Sequence, residues 1–430
     1  MNTQRPVTLL LVIVLLVAGC ASPSAPAEGT GQVSFMVFGD PQEKAAYDAL
    51  VEAFHTKHPA IRIALIHIPG QDEYRQRLGM DFAAGTAADV VLINYRRYAS
   101  FAARGVLEPL DPYLANSPVL DVGDFYQQAL APFYWENTLM CIPQNLSSLV
   151  VYYNKDLFDA AGQPYPIDDW TWEEFLQAAQ ALTHDTDGDG RTDQYGLGTE
   201  PSIFRVAPFI WQNGGLLVDT PVRPRRLMLD MPASRAAIEW FVNLQVRYGV
   251  VPGAVEEEAE SSESRFLNGR MGMYLNSRRG VPTYREIDGF DWDVVPLPRN
   301  KQRAGILHSD AYCMAASTAD KAAAWTFIEY ANSPEGQAIV AQSGRTVPSL
   351  KAVAESPAFL DVQTRPANDR AFLDPIADTY TVPVMSTWVD IEEIAGRELE
   401  RAFYGQVSVD EAINTTLANT REYFELARTP

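Results

Sequence analysis

From residue 31 onward, apolar and polar positions fall into short units of alternating period. An apolar run at 33–38 predicts a strand, 42–55 carries helical spacing, and 61–68, preceded by Pro59, predicts a second strand. The order repeats at once. Residues 73–84 are helical in pattern, Gly85 stops them, 89–93 reads as a short buried strand, and 98–104 as a further helix. Strands separated by helices imply parallel pairing in an α/β layer architecture, where ligands sit beyond the carboxyl ends of the strands. Residues 39–43 and 94–98 occupy those ends. Beyond Pro143 a second system begins, with a strand at 149–153, a helix at 171–182 capped by Thr171, helices at 234–248 and 264–268, and a strand at 293–297. The acidic run 256–260 reads as a solvated loop or helix start.

The first thirty residues obey a different rule. Arg5 precedes an apolar run at 7–19 that is too short for the roughly 20 residues of a bilayer span, and small residues then lead to a cysteine. Residues 1–19 therefore read as a secretion signal. Val17-Ala18-Gly19-Cys20 looks like a bacterial lipobox, which implies cleavage before Cys20 and lipid on that residue; the alternative is plain secretion with an incidental cysteine. Residues 20–30, rich in Ser, Pro, Ala and Gly, have the composition of a flexible tether. The chain beyond the tether is longer than one core readily fills, so two lobes or domains are expected.

With 34 basic and 55 acidic residues the chain carries a net charge of −21, which argues against nucleic acid or an anionic membrane surface as a partner. Cys141 and Cys313 each lie in an apolar, strand-like run. Buried free thiols are the favoured reading, with a disulfide as the alternative that an exported location permits.

Several segments then share an order and spacing with a known family: Tyr153-Asn154-Lys155-Asp156-Leu157-Phe158, Asp169-Trp170-Thr171-Trp172-Glu173-Glu174-Phe175, and Phe266-Leu267-Asn268-Gly269-Arg270-Met271-Gly272-Met273. Trp292-Asp293-Val294-Val295-Pro296-Leu297-Pro298, Ala324-Trp325-Thr326-Phe327-Ile328 and Ser333-Pro334-Glu335-Gly336 extend the series. In these features the chain resembles the extracellular solute-binding proteins of carbohydrate ABC transporters. The resemblance implies an α/β fold of the periplasmic-binding-protein type II kind, two α/β lobes joined by a three-crossing hinge. One lobe would comprise 31–145 with 296–346, the other 146–295 with 347–430. A monomeric, lipid-anchored protein would then capture a sugar or similar polar solute between the lobes and hand it to the permease subunits. Most of the quoted motifs hold the scaffold: Trp172 and Phe175 share one helical face and are expected to pack, and Gly269 to permit a tight turn.

Sugars present hydroxyl groups and flat apolar faces, so their sites combine donor–acceptor side chains with aromatic platforms. Asp40 and Glu43 follow the first strand at a position where relatives contact sugar hydroxyls, although Asp40 is equally placed to cap a helix. Asn94, Tyr95 and Arg96 follow the third strand, while Gln144 and Asn145 sit at the first crossing and suit ligand or hinge. Trp211, before Asn213-Gly214-Gly215, suits either stacking or core. Asn276 and Arg279 follow a strand where maltose-binding members carry a stacking tryptophan; the arginine here disfavours maltodextrin and favours an acidic or phosphorylated solute. His308, Asp310 and Arg345 complete the set, and Trp388 is the expected stacking platform, since relatives place an aromatic there.

Asp185, Asp187, Asp189, Arg191, Asp193 and Gln194 have the spacing of the first part of an EF-hand loop, but Gly196 stands where the closing glutamate belongs. Some relatives close such a loop with the residue here numbered Gln194. A structural calcium ion and a solvated acidic turn are both compatible with the pattern, and no other cofactor is expected. For an enzyme, the chain lacks Gly-x-Ser-x-Gly, a phosphate-cradling loop with lysine, and His-Glu-x-x-His. An envelope carbohydrate-active hydrolase and a ligand-sensing lobe for a membrane kinase stand as the rival readings.

Overall fold

The computed structural model describes residues 31–429. The expected signal segment, Cys20 and the tether lie outside the described residues. Nine strands build two sheets: β1 (Gln32–Phe38), β2 (Arg62–Ile68), β3 (Val90–Asn94), β4 (Cys141–Pro143), β5 (Val150–Asn154), β6 (Tyr195–Gly198), β7 (Met271–Asn276), β8 (Trp292–Pro296) and β9 (Asp310–Met314). The first sheet has the order β2-β1-β3-β9-β4, the second β8-β5-β7-β6. β1 runs parallel to both β2 and β3, as expected of strands joined through helices. β9 is antiparallel to both its neighbours, β3 and β4. That strand arrives only after the chain has built the second sheet, so each α/β lobe is completed by chain returning from the other.

The crossings run side by side. Leu146 N–H donates to the Val347 carbonyl at 3.1 Å, and Ser147 and His308 exchange both backbone bonds at 2.8 Å. The helix Pro41–Lys57 starts at a capping box in which Asp40 accepts from Glu43 N–H and Glu43 accepts from Asp40 N–H, satisfying two orphan donors at once. Trp388–Phe403 and Val409–Leu426 pack on one another and on the helices Ile203–Gln212 and Pro232–Val246 of the second lobe. No described helix is long and apolar enough to cross a membrane.

Three local expectations need correction or refinement. The helix expected at 98–104 is Tyr95–Ala102, because the Asn94 side chain accepts from Arg96 N–H and starts it a turn earlier. The acidic run enters a short helix, Ala254–Ala259, and Glu260 beyond it pairs with Arg270. Cys141 and Cys313 are not free thiols but form a disulfide. They stand directly opposite on β4 and β9, with Cα atoms 4.5 Å apart, and a sequence separation of 172 residues gave no hint of that register. Trp172 is buried and stacked on Trp240 at 4.2 Å, and Phe175 meets Trp170 edge to face. Gly269 turns with φ of +72°, a conformation costly for any residue with a Cβ.

Candidate functional site

A cavity of about 530 Å³ opens where the ends of β3 and β7 meet the crossing segments. Backbone and side chains fix its floor as one chain of hydrogen bonds. Asp310 N–H donates to Asn145 Oδ1 at 2.7 Å, Asn94 Nδ2 donates to Asp310 Oδ1 at 3.1 Å, and Arg96 donates through N–H and Nε to Asn94 Oδ1, each at 3.2 Å. On the other lobe Asn276 donates to the Tyr284 hydroxyl at 2.7 Å. Seven arginines and five carboxylates line the cavity, so its sign opposes that of the chain as a whole. A second pocket of about 250 Å³ shares Gln71, Arg75, Asn94, Arg97 and Asp310 with it and adds Arg104 and Asp390.

The charges are held by specific partners. Arg345, 2 % exposed, places Nε 2.8 Å from Glu43 Oε1, and the same carboxylate lies 3.6 Å from Arg279. Gly39, with φ of +131°, makes room for it, since a Cβ there would stand 2.5 Å from Glu43 Oε2. Arg205 pairs with Glu200 at 3.2 Å. Arg96 pairs with Glu392 and lays its guanidinium 3.8 Å from the centre of the Phe204 ring, a cation–π contact, while His308 stacks on Phe204 at 4.7 Å. Burial, and then the charges of Arg205, Arg96 and Arg279, hold His308 well below the usual imidazole range, so it stays neutral. The Arg205 charge in turn lowers Glu200. Burial, together with the nearby charges of Arg75 and Arg96, brings Arg97 down to about 10. Like charges are thus crowded in two places, around His308 and around Arg97.

Eight of the expected ligand residues line this cavity: Asn94, Arg96, Asn145, Asn276, Arg279, His308, Asp310 and Arg345. Five do not. Asp40 is spent as a helix cap and as acceptor from the Thr283 hydroxyl. Glu43 lies behind the wall as the partner of Arg345. Tyr95 is fully buried, its hydroxyl accepting from Val382 N–H. Trp211 stacks on Tyr380 at 5.0 Å and lines a separate groove with Gly214, Gly215 and Val382. Trp388 has no exposed surface and is no platform; its Nε1 donates to Glu392 at 3.1 Å. Sequence reasoning passed over Glu200, Ser202, Phe204, Arg205, Arg278 and Glu392. One signal was available, because Ser202 caps the helix Ile203–Gln212 and so points the first turn, with Arg205, toward a strand-end loop.

In the acidic loop, carboxylate oxygens of Asp185, Asp187 and Asp193 all lie within 4.8 Å of one another. Oxygens about 2.3–2.6 Å from one calcium ion cannot be much farther apart than this, so the spacing fits. The same carboxylates also accept backbone N–H bonds, Asp185 from Gly188 and Gly190, and Asp193 from Thr186. Asp189 accepts from Arg191 N–H and stands outside the three-residue group, and Gln194 donates to the Leu182 carbonyl at 2.8 Å.

Known proteins share the fold. A Listeria monocytogenes ABC substrate-binding protein, solved in complex with cycloalternan, superposes with a TM-score of 0.85 at 23 % identity, covering 92 % of this chain and 100 % of that one. The Mycobacterium tuberculosis protein UgpB, solved with glycerophosphocholine, gives a TM-score of 0.77 at 23 % identity over 93 % of this chain and 98 % of the other. The mannitol-binding protein of Pseudomonas aeruginosa is 22 % identical over 96 % of this chain and 98 % of its own length. Residues 49–368 match the family described as bacterial extracellular solute-binding protein. The two sheets, one inserted in the chain between strands of the other, the cavity at their crossings and this match over most of the chain agree, and the protein belongs to the bacterial extracellular solute-binding family.

Proposed function

We propose that the protein is the substrate-binding component of an ABC importer, anchored through lipid on Cys20 after loss of residues 1–19. As a monomer, it captures a sugar or related polar solute between its lobes and passes it unchanged to the permease. The observation that carries this reading is the cavity of about 530 Å³ at the crossings, a volume suited to a small ligand and lined by converging polar groups from both lobes. Relatives named for mannitol and for maltotriose support a polyol or sugar class. The loop around Asp185 holds a structural calcium ion in this reading, through Asp185, Asp187 and Asp193, with Asp189, the Arg191 backbone carbonyl and the Gln194 side-chain oxygen completing the set.

A thermal-shift screen over sugars, polyols and their phosphates tests the assignment. A true ligand at a hundredfold its dissociation constant adds about 2.7 kcal/mol of apparent stability. No response across the panel would sink it. The anchor has its own check, since Cys20→Ser must release the protein from the membrane fraction.

A further inference from the structure

The chemistry of the cavity lining narrows the class of solute, on the footing that the cleft captures one. Three features of the cavity fit poorly with a neutral sugar. Four of its five carboxylates are already engaged: Asp310 by Asn94, Glu392 by Arg96 and Trp388, Glu200 by Arg205, and Asp72 by Arg75. Hydroxyl groups need acceptors as well as donors, whereas a guanidinium offers five N–H groups and no acceptor. Nor is an open aromatic face available among the described lining residues. Phe204 supplies the benzene ring there, and it is 7 % exposed beneath Arg96 and His308. Donors, by contrast, are in surplus. Arg205 Nη1, Arg345 Nη2, Arg278 Nη2 and His308 Nε2 are buried and have no hydrogen-bond partner.

The arrangement of charge points the same way. Arg205, Arg96 and Arg279 all act on the ring of His308, each lowering its affinity for a proton. Each has a carboxylate partner, but unpartnered guanidinium donors remain on Arg205 and the Arg279 pair is loose, so a bound anion has groups to meet. A lining with more arginines than carboxylates, inside a chain of net charge −21, also concentrates anions at the cleft mouth. Arg279 is the most accessible of the three, 38 % exposed and only loosely held by Glu43 at 3.6 Å, so it is free to turn onto a ligand.

We propose that the solute carries an oxyanion, a carboxylate or a phosphate, and that Arg205 and Arg279 receive it from the second lobe. Arg345 and His308, whose buried Nη2 and Nε2 lack partners, donate to it from the hinge side. Guanidinium groups match both oxyanions in planar, two-point hydrogen bonding. Contacts from both sides make the anion the group that holds the lobes together.

Calorimetric titration of the mature protein with matched series tests this: glucose, glucuronate and glucose 6-phosphate; glycerol and glycerol 3-phosphate. An anionic member is expected to bind at least tenfold more tightly than its neutral parent and to weaken as salt rises. The carboxylate and phosphate arms distinguish the two oxyanions. Arg279→Gln should weaken the anion at least tenfold, and Arg205→Gln likewise, with a thermal midpoint measured on each variant and Arg279→Lys as the milder control. Neutral sugars binding as tightly as their charged partners would overturn the oxyanion assignment while leaving solute capture intact. Silence from every member, charged and neutral, would overturn solute capture itself. Full anion affinity in a folded Arg279→Gln protein would overturn the role given to that residue.

Discussion

Successive side chains on a helix point about 100° apart, so Trp388 and Val389 face different surroundings. Val389 and Asp390 line the pocket that adjoins the cleft, whereas Trp388 turns inward and is fully buried. Its ring fills core and its Nε1 steadies Glu392, which in turn holds Arg96. Trp388→Ala should therefore cost about 3–5 kcal/mol of stability, the usual range for emptying a large aromatic site. Urea denaturation measures it directly, and an unchanged midpoint would contradict the core assignment. Trp388→Phe should be milder. The same geometry separates the site residues that were legible in the sequence from those that were not. Asn94, His308 and Asp310 were legible because they follow or open strands at the sheet's carboxyl edge. Phe204 and Arg205 were not, because they enter from the first turn of a helix whose placement depends on the other lobe's packing.

Among the elements, those with strong periodicity were read to within a residue or two: β1, β2, β3, β5, β8 and the helix Trp172–Ala181. Period and capping are local, so the sequence contains them. Register is not local. Nothing near Cys141 says that Cys313 will stand opposite, because β9 reaches β4 only after the chain has folded a whole lobe elsewhere. The loop at 185–194 lies between these extremes, since spacing alone brought three carboxylates together while their backbone bonds satisfy them without an ion. A calcium ion present at a hundredfold its dissociation constant would add about 2.7 kcal/mol. Chelator should then lower the thermal midpoint by several degrees, added calcium should restore it, and Asp187→Asn should abolish the response. Indifference to both reagents would leave only a solvated turn.

For the molecule as a whole, contacts bridge the cleft in the described conformation. Thr283 donates to Asp40, Arg279 faces Glu43 at 3.6 Å, and Arg96 reaches both Glu392 and Phe204, every contact joining one lobe to the other. A ligand touching both lobes favours this state over an open one by its difference in affinity for the two. A hydrogen bond to a charged group contributes about 1.5 kcal/mol, so Thr283→Val should shift the unliganded balance roughly tenfold toward open. Small-angle scattering should show a larger radius of gyration for the variant that ligand then reduces; identical profiles with and without ligand would count against closure. The bond between Cys141 and Cys313 joins the strand before the first crossing to the strand after the second, so residues 142–312 form a covalently closed ring. For a protein working outside the cytoplasm, a single proteolytic cut anywhere in that ring leaves one molecule, its pieces still tied at the sheet from which the second lobe departs.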